Sequence, residues 1–174
     1  MSQTEIANPM QRPRVDKVVV NISVGKSGEP LQKAMTILER LVDQKPCQRG
    51  AKKSVRDWGI RKGEPIACVA TLRGENALEF IRRSLDPLGN KLPRSSFDVN
   101  GNFSFGVKEH IEIAGVKYDP SLGIFGMDVC VSVNRPGHRV KTRKKEKTHI
   151  GHKHLLTPEE SIALVKQTLG VEIV

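Results

Sequence analysis

Four segments of this chain alternate apolar and other residues with a period of two, and that pattern limits the architecture more than any other feature. Val18, Val20, Ile22 and Val24 share one parity, and Lys17, Val19, Asn21 and Ser23 the other. Ile66, Cys68, Ala70 and Leu72 alternate with Ala67, Val69, Thr71 and Arg73. Phe103, Phe105 and Val107 form a third set, and Met127, Val129, Val131 and Val133 a fourth. A period of two puts successive side chains on opposite faces of a strand. Helical spacing appears between the strands, in Leu31, Ala34, Met35, Leu38, Leu41 and Val42, and again in Ala77, Phe80, Ile81, Ser84 and Leu85. Two helices cannot cover both faces of such a sheet, so they pack on one face and leave the other open. The expected fold is α/β (α+β), a two-layer sandwich with a mainly antiparallel sheet. Its open face carries Lys17, Asn21, Ser23, Thr71, Arg73, Cys130 and Ser132. An antiparallel sheet can wet one face without any functional reason.

Turn and cap residues set the boundaries. Gly25 to Gly28 ends the first strand, Pro30 suits a first helical turn, and Pro46 ends that helix before a short strand near 47–51. Pro87 stops the second helix. Asn100-Gly101, between Phe97-Val99 and Phe103-Phe105-Val107, predicts a hairpin. Pro136-Gly137 ends the last long strand. Thr157-Pro158-Glu159-Glu160 is a capping-box pattern that opens a third helix, with Ile162, Val165 and Leu169 on its apolar face and Gly170 as its stop. Residues 1–11 are polar and aperiodic and read as a flexible tail. Residues 12–174 read as a single domain with an exposed basic loop at 50–64 and a basic insertion at 135–156.

The formal net charge is +10, and two short segments hold all of it. Residues 49–63 carry +5 and residues 135–154 carry +7, so the rest of the chain sums to −2. A near-neutral body with two concentrated basic segments is the footprint of a polyanion binder. Aromatic residues make up 4% of the chain, too few for base stacking on single strands to be the main binding mode. That composition favours structured RNA, read through phosphates, 2′-hydroxyls and shape.

Other function classes find little support. No stretch reaches the ~18 uninterrupted apolar residues of a membrane span, and 1–10 has no apolar core of a secretory signal. Cys47, Cys68 and Cys130 are widely spaced and odd in number, as expected of reduced cytosolic cysteines. Gly25-Lys26-Ser27 stands where a phosphate-binding loop would, but Val20 occupies the position of its first glycine. His149, His152 and His154 lie in a run of lysines without a partner Cys or acid at metal-ligand spacing, so neither metal nor cofactor is expected. Asp86, Asp98, Asp119 and Asp128 are scattered over different elements, and no nucleophile–base pair emerges. Asn102 to Val107 loosely resembles an RNA-recognition strand, but Phe103 and Phe105 share a parity and point to the core. Trp58, in the basic loop, reads first as an anchor packed on the body and second as a stacking surface for a nucleotide.

Short motifs in order add a resemblance. Pro13-Arg14-Val15, Asn21 to Gly25, Gln44-Lys45-Pro46, Ala51-Lys52-Lys53-Ser54-Val55, Ile60-Arg61-Lys62-Gly63, Val69 to Gly74, Ser96-Phe97-Asp98 with Gly101-Asn102, and Gly126-Met127-Asp128 resemble the universal large-subunit ribosomal protein five family over roughly residues 12–134. Arg135-Pro136-Gly137 and Ile150 to His154 resemble its archaeal and eukaryotic cytosolic form. The bacterial form lacks this basic insertion and has a longer N-terminal helical region.

The resemblance implies a non-enzymatic, cytoplasmic ribosomal component of the central protuberance, with the open sheet face on 5S rRNA. By matching position, Asn21, Gln44 and Thr71 are expected to hydrogen-bond 5S rRNA, joined by Arg14, Lys17, Ser23, Lys26, Lys45 and Arg73. The loop at 51–62, through Lys52, Lys53, Ser54, Arg56, Arg61 and Lys62, is expected to reach the P-site tRNA. Arg135, Arg139, Lys141, Arg143, Lys144, Lys145, Lys147 and Lys153 are expected on the large rRNA. A small-subunit head protein and other central-protuberance proteins complete the implied partners. The alternatives from other classes are a basic protein–protein adaptor in translation and an RNA-acting enzyme. Competition between RNA and an acidic polypeptide, and turnover on labelled RNA, separate them.

Overall fold

The computed structural model describes residues 8–174. Of the expected flexible tail, 1–7 lies outside the described residues. Pro9–Gln11 forms a 3-10 turn, and the Met10 N–H donates to the Asn8 side chain at 2.9 Å.

Strand β1, Arg14–Ser23, is central in a five-stranded sheet with β2 (Cys47–Gly50), β3 (Pro65–Leu72), β5 (Phe103–Val107) and β6 (Met127–Asn134). The order is β2-β3-β1-β6-β5, and every pairing is antiparallel. Register brings one parity together: Val20 faces Ala70 on one side and Val129 on the other, and Val129 faces Phe105. These side chains are buried in a single core with Val18, Ile22, Leu72, Val131 and Val133. Burial of side chains this size is worth roughly 1.5–3 kcal/mol each.

The helices cover that face. α1, Glu29–Val42, has Pro30 in its first turn and ends at Asp43, a left-handed residue with φ 51°. Its buried stripe is the expected one with a single exchange, Ile37 for the half-buried Met35. α2, Glu75–Leu85, buries Ala77, Phe80, Ile81, Ser84 and Leu85, as the spacing predicts. It ends two residues before Pro87, which sits in a following 3-10 turn at Asp86–Leu88. β4 (Lys91–Leu92) pairs in parallel with β7 (Glu172–Ile173), so the C-terminus is tied back beside the core. α3, Arg139–Thr142, is one turn within the basic insertion. α4, Pro158–Leu169, has the full capping box between Thr157 and Glu160 and a left-handed Gly170 as its C-cap.

Three expectations change. The hairpin at Asn100-Gly101 has a real turn but no first strand, because Arg94–Ser96 forms a 3-10 turn and only Phe97 bridges to Phe103. The Asp98 carboxylate takes the N–H groups of Asn100 and Asn102 and the Asn102 amide, which closes the turn locally. A side chain at Gly101 would collide with the Ser161 hydroxyl, so glycine is required by α4 as well as by its φ of 78°. Residues 51–63, expected as an aperiodic loop, form a small hairpin with Val55 and Ile60 exchanging both backbone bonds at 2.9 and 3.1 Å. Trp58 stands at its tip 73% exposed, so the anchor reading fails.

Candidate nucleic-acid interface

The parity opposite the core makes one continuous surface. Across the strands, Thr71 pairs with Val19, Val19 with Cys130, and Cys130 with Ser104. The next row runs from Cys47 through Val69, Asn21 and Asp128 to Gly106. Beside them lie Lys17 paired with Ser132, and Ser23 paired with Ala67. Among the described residues no helix packs here: Thr71, Ser23 and Ser104 are exposed, and Val19, Asn21 and Val69 half-buried. The face forms a shallow open trough, rimmed by Arg49 on one side and Ser96 on the other.

Lys17, Asn21, Ser23 and Thr71 therefore share the face that sequence alternation assigned them. Arg14 starts the same strand and is exposed. Arg73 lies just past β3 and is already engaged: its guanidinium is 3.1 Å from the Asp16 carboxylate. Asp16 occupies a bulge between Val15 and Lys17, where β1 slips register against β6. Gln44 and Lys45 are exposed in the connection from α1 to β2, at the sheet's outer edge. Lys26 is exposed in the β1–α1 turn.

Arg49 and Asp128 bring charge to this face and are not among the expected 5S rRNA binders. Arg49 faces Ala67 in the β2–β3 ladder and so reaches over the trough beside Asn21. Its strand is four residues long, too short for alternation to reveal which face it serves. Asp128 pairs with Asn21 and adds a carboxylate to the trough. That acid matters electrostatically: with it the face is a mixed polar surface rather than a cationic sheet. Its charge also raises the Cys130 thiol, after burial as the larger cause. Cys68, on the core face, is pushed up to about 11 by burial.

The first basic segment is held rigidly at its base. Ala51 donates to Glu64 at 2.8 Å and Gly63 to Ala51 at 2.9 Å. At Gly50 a Cβ would come within 2.9 Å of the Gly63 carbonyl oxygen, so only glycine lets the two stems meet. The Ser27 hydroxyl donates to Glu64 at 2.6 Å and the Arg61 N–H at 3.0 Å, and these bonds hold the Glu64 carboxyl below its ordinary range. The glycine turn that resembled a phosphate loop thus braces the hairpin. Lys52, Lys53, Arg56 and Lys62 remain exposed with Arg61, and the Ser54 hydroxyl accepts the Lys62 N–H at 2.9 Å.

The second segment is anchored by a residue expected on RNA. Arg135 is turned inward, its side chain 10% exposed, with Nη2 donating to Glu160 at 2.8 Å and Nη1 to the Lys153 carbonyl at 3.0 Å. Its two terminal nitrogens are thereby taken up in clamping the insertion to α4. Arg143 donates twice to the Glu146 carbonyl, closing a turn. Arg139, Lys141, Lys144, Lys145, Lys147 and Lys153 are exposed. His154 is bonded to the Pro136 carbonyl at 2.9 Å. Among the described residues no three His, Cys, Asp or Glu side chains gather as metal ligands, and no helix is long and apolar enough to cross a membrane.

Comparison with known proteins decides the family. Residues 8–61 match the family described as Ribosomal protein L5, and residues 65–164 match the model of that ribosomal family's C-terminus. The chain belongs to the ribosomal protein L5 family. Its relatives called large ribosomal subunit protein uL5 include those of Aeropyrum pernix, 52% identical over 96% of this chain and 88% of the relative, and Pyrobaculum aerophilum, 49% identical over 95% and 93%. The Sulfurisphaera tokodaii protein is 46% identical over 100% of this chain and 99% of its own length. A member of this family is a structural protein of the large ribosomal subunit, not an enzyme, and works in the cytoplasmic ribosome. The two family segments meet between the basic hairpin and β3, yet their strands interleave in one sheet, with β3 between β2 and β1.

Proposed function

We propose that this protein binds 5S rRNA on the open face of its sheet and helps attach it to the large rRNA in the central protuberance. Residues 12–174 act as one RNA-binding unit. The observation that carries the reading is the division of the sheet: one face fills the core, while the other presents Lys17, Asn21, Ser23, Arg49 and Thr71, with no helix of the described residues over it. Thr, Ser and Asn side chains on a flat platform suit 2′-hydroxyl and phosphate contacts to a structured RNA.

The two basic segments have separate work in this proposal. The hairpin at 51–62 reaches the P-site tRNA through Lys52, Lys53, Arg56, Arg61 and Lys62. The exposed Trp58 indole at its tip offers a face on which a base could stack. The insertion, through Arg139, Lys141, Arg143, Lys144, Lys145, Lys147 and Lys153, neutralises large-rRNA phosphates. Contact with a small-subunit head protein and with neighbouring central-protuberance proteins belongs to the same proposal.

The test is a titration of purified protein with 5S rRNA at increasing salt. Each neutralised phosphate releases condensed counterions, so log affinity should fall by roughly 0.7–0.9 per log unit of salt per contact. A salt-independent affinity, or equal affinity for an unrelated RNA of the same length, would remove the basis for this assignment.

A further inference from the structure

A small recess lies away from the sheet's trough, where the end of β6, the basic insertion and the residues leading into α4 meet. Its volume is about 110 Å³. Asn100, Asn134, Arg135, His138, Lys141 and His154 contribute to its wall, and among the described residues no carboxylate does.

Arg135 gives the recess its direction. The side chain is nine-tenths buried, and its two terminal nitrogens are engaged by Glu160 and backbone carbonyls. Its Nε–H is also buried, yet meets no hydrogen-bond partner among the described residues. Buried polar groups are normally satisfied, so such a donor implies an acceptor. Glu160 offsets the guanidinium charge, while Lys141 makes no ion pair among the described residues. His154 adds a ring fixed by the Pro136 carbonyl: that oxygen only accepts, so Nε2 carries the proton and Nδ1 is left over.

We infer that this recess binds a phosphate-sized oxyanion, and that on the ribosome a phosphodiester of large-subunit rRNA fills it. The inference about source rests on the RNA-binding reading above; the inference about chemistry does not. An oxyanion supplies only acceptors, which suits the amide, ammonium and guanidinium donors of this wall. Its charge would complement Lys141 and satisfy Arg135 at once.

His138 reports on occupancy. Its ring is held below the usual imidazole range, by burial first and then by Lys141 from α3. His154 and Lys17 act in the same direction, and Asp16 on β1 opposes them. Arg135 and its partner Glu160 complete the charged surroundings. A bound anion adds negative charge and must raise the ring's pKa. By linkage, the anion binds more tightly as pH falls through that pKa.

The experiment uses the full chain and inorganic sulfate, which does not titrate near neutrality, against chloride at matched ionic strength. The readouts are the Arg135 Nε–H and His138 ring signals by NMR. The expected result is a saturable shift of the Arg135 signal, with a raised His138 pKa. Lys141→Ala should weaken sulfate at least about tenfold, or ~1.4 kcal/mol, while Arg139→Ala changes it little. A shift that never saturates, or one equally weakened by both variants, overturns the site. A second arm measures both variants on a large-subunit rRNA fragment. Greater loss for Lys141→Ala supports the phosphodiester. Saturable sulfate with equal RNA losses means an adventitious ion only and overturns that source. Saturable sulfate with no rRNA binding by the wild type overturns the source together with the proposed function, and leaves the recess chemistry standing.

Discussion

Replacing Asn21 with Ala separates a binding face from a structural one. Asn21 stands between Val20 and Ile22, both buried, so its side chain leaves on the open side of β1. Among the described residues, its one side-chain hydrogen bond there is to the exposed Ser23 hydroxyl at 2.9 Å. In the unbound protein water can replace that bond, and the stability loss should stay within ~0.5 kcal/mol. For a domain of this size that is a melting shift of about 2 °C at most. Under RNA the same group is desolvated, and its loss leaves an RNA donor or acceptor buried without a partner, at ~1–3 kcal/mol. At ~1.4 kcal/mol per decade, affinity should fall about five-fold to over a hundred-fold. Thr71→Ala, in the adjacent row of the same face, should behave alike. Val20→Ala is the converse control. Losing two buried methyl groups and leaving a cavity costs ~2–3 kcal/mol, so melting falls while RNA affinity at low temperature holds. The assay is filter binding of 5S rRNA beside thermal melts of the same samples. Unchanged affinity in both Asn21→Ala and Thr71→Ala would refute the open-face argument. So would a melting drop in Asn21→Ala as large as that of Val20→Ala.

Other outcomes follow from the basic segments. Replacing Lys52, Lys53 and Arg56 together with Ala should leave 5S rRNA binding nearly intact and weaken P-site tRNA retention in assembled ribosomes; lost 5S binding with an intact circular dichroism spectrum would move this hairpin onto the platform. Arg135→Met removes a charged, largely buried hydrogen-bonding clamp and should cost about 2–3 kcal/mol in a thermal melt; a melt like the wild type's would refute the clamp. The Glu64 carboxyl titrates below its ordinary range because Ser27 and the Arg61 N–H bond its charged form. Its contribution to stability is therefore complete above the ordinary carboxylate pKa and lost as pH falls through the depressed one. Amide exchange at Arg61 should accelerate across that acidic window, and Glu64→Gln should abolish the dependence.

Much of this protein was legible in the sequence because its strands alternate strictly. A period of two over Val18 to Ile22, Cys68 to Leu72, Phe103 to Val107 and Met127 to Val133 fixes which side chains enter the core, and by subtraction which remain outside. The helix stripes, the Thr157 cap and the concentration of charge are likewise local properties of neighbouring residues. Tertiary structure alone decided the rest, since it depends on residues distant in the chain. The β2-β3-β1-β6-β5 order sets Arg49 and Asp128 beside Asn21, from three separate strands. Nothing near Arg135 signals that Glu160 will take its charge, and composition reads it as one more phosphate contact. Trp58 shows the same limit, because an aromatic residue in a loop is an anchor only if some surface lies within its reach. Here the Val55–Ile60 bridge holds the tip away from the body. Local pattern dictates how each segment can bury its apolar side; which charges then meet, and which are left facing solvent, is settled only when the segments pack.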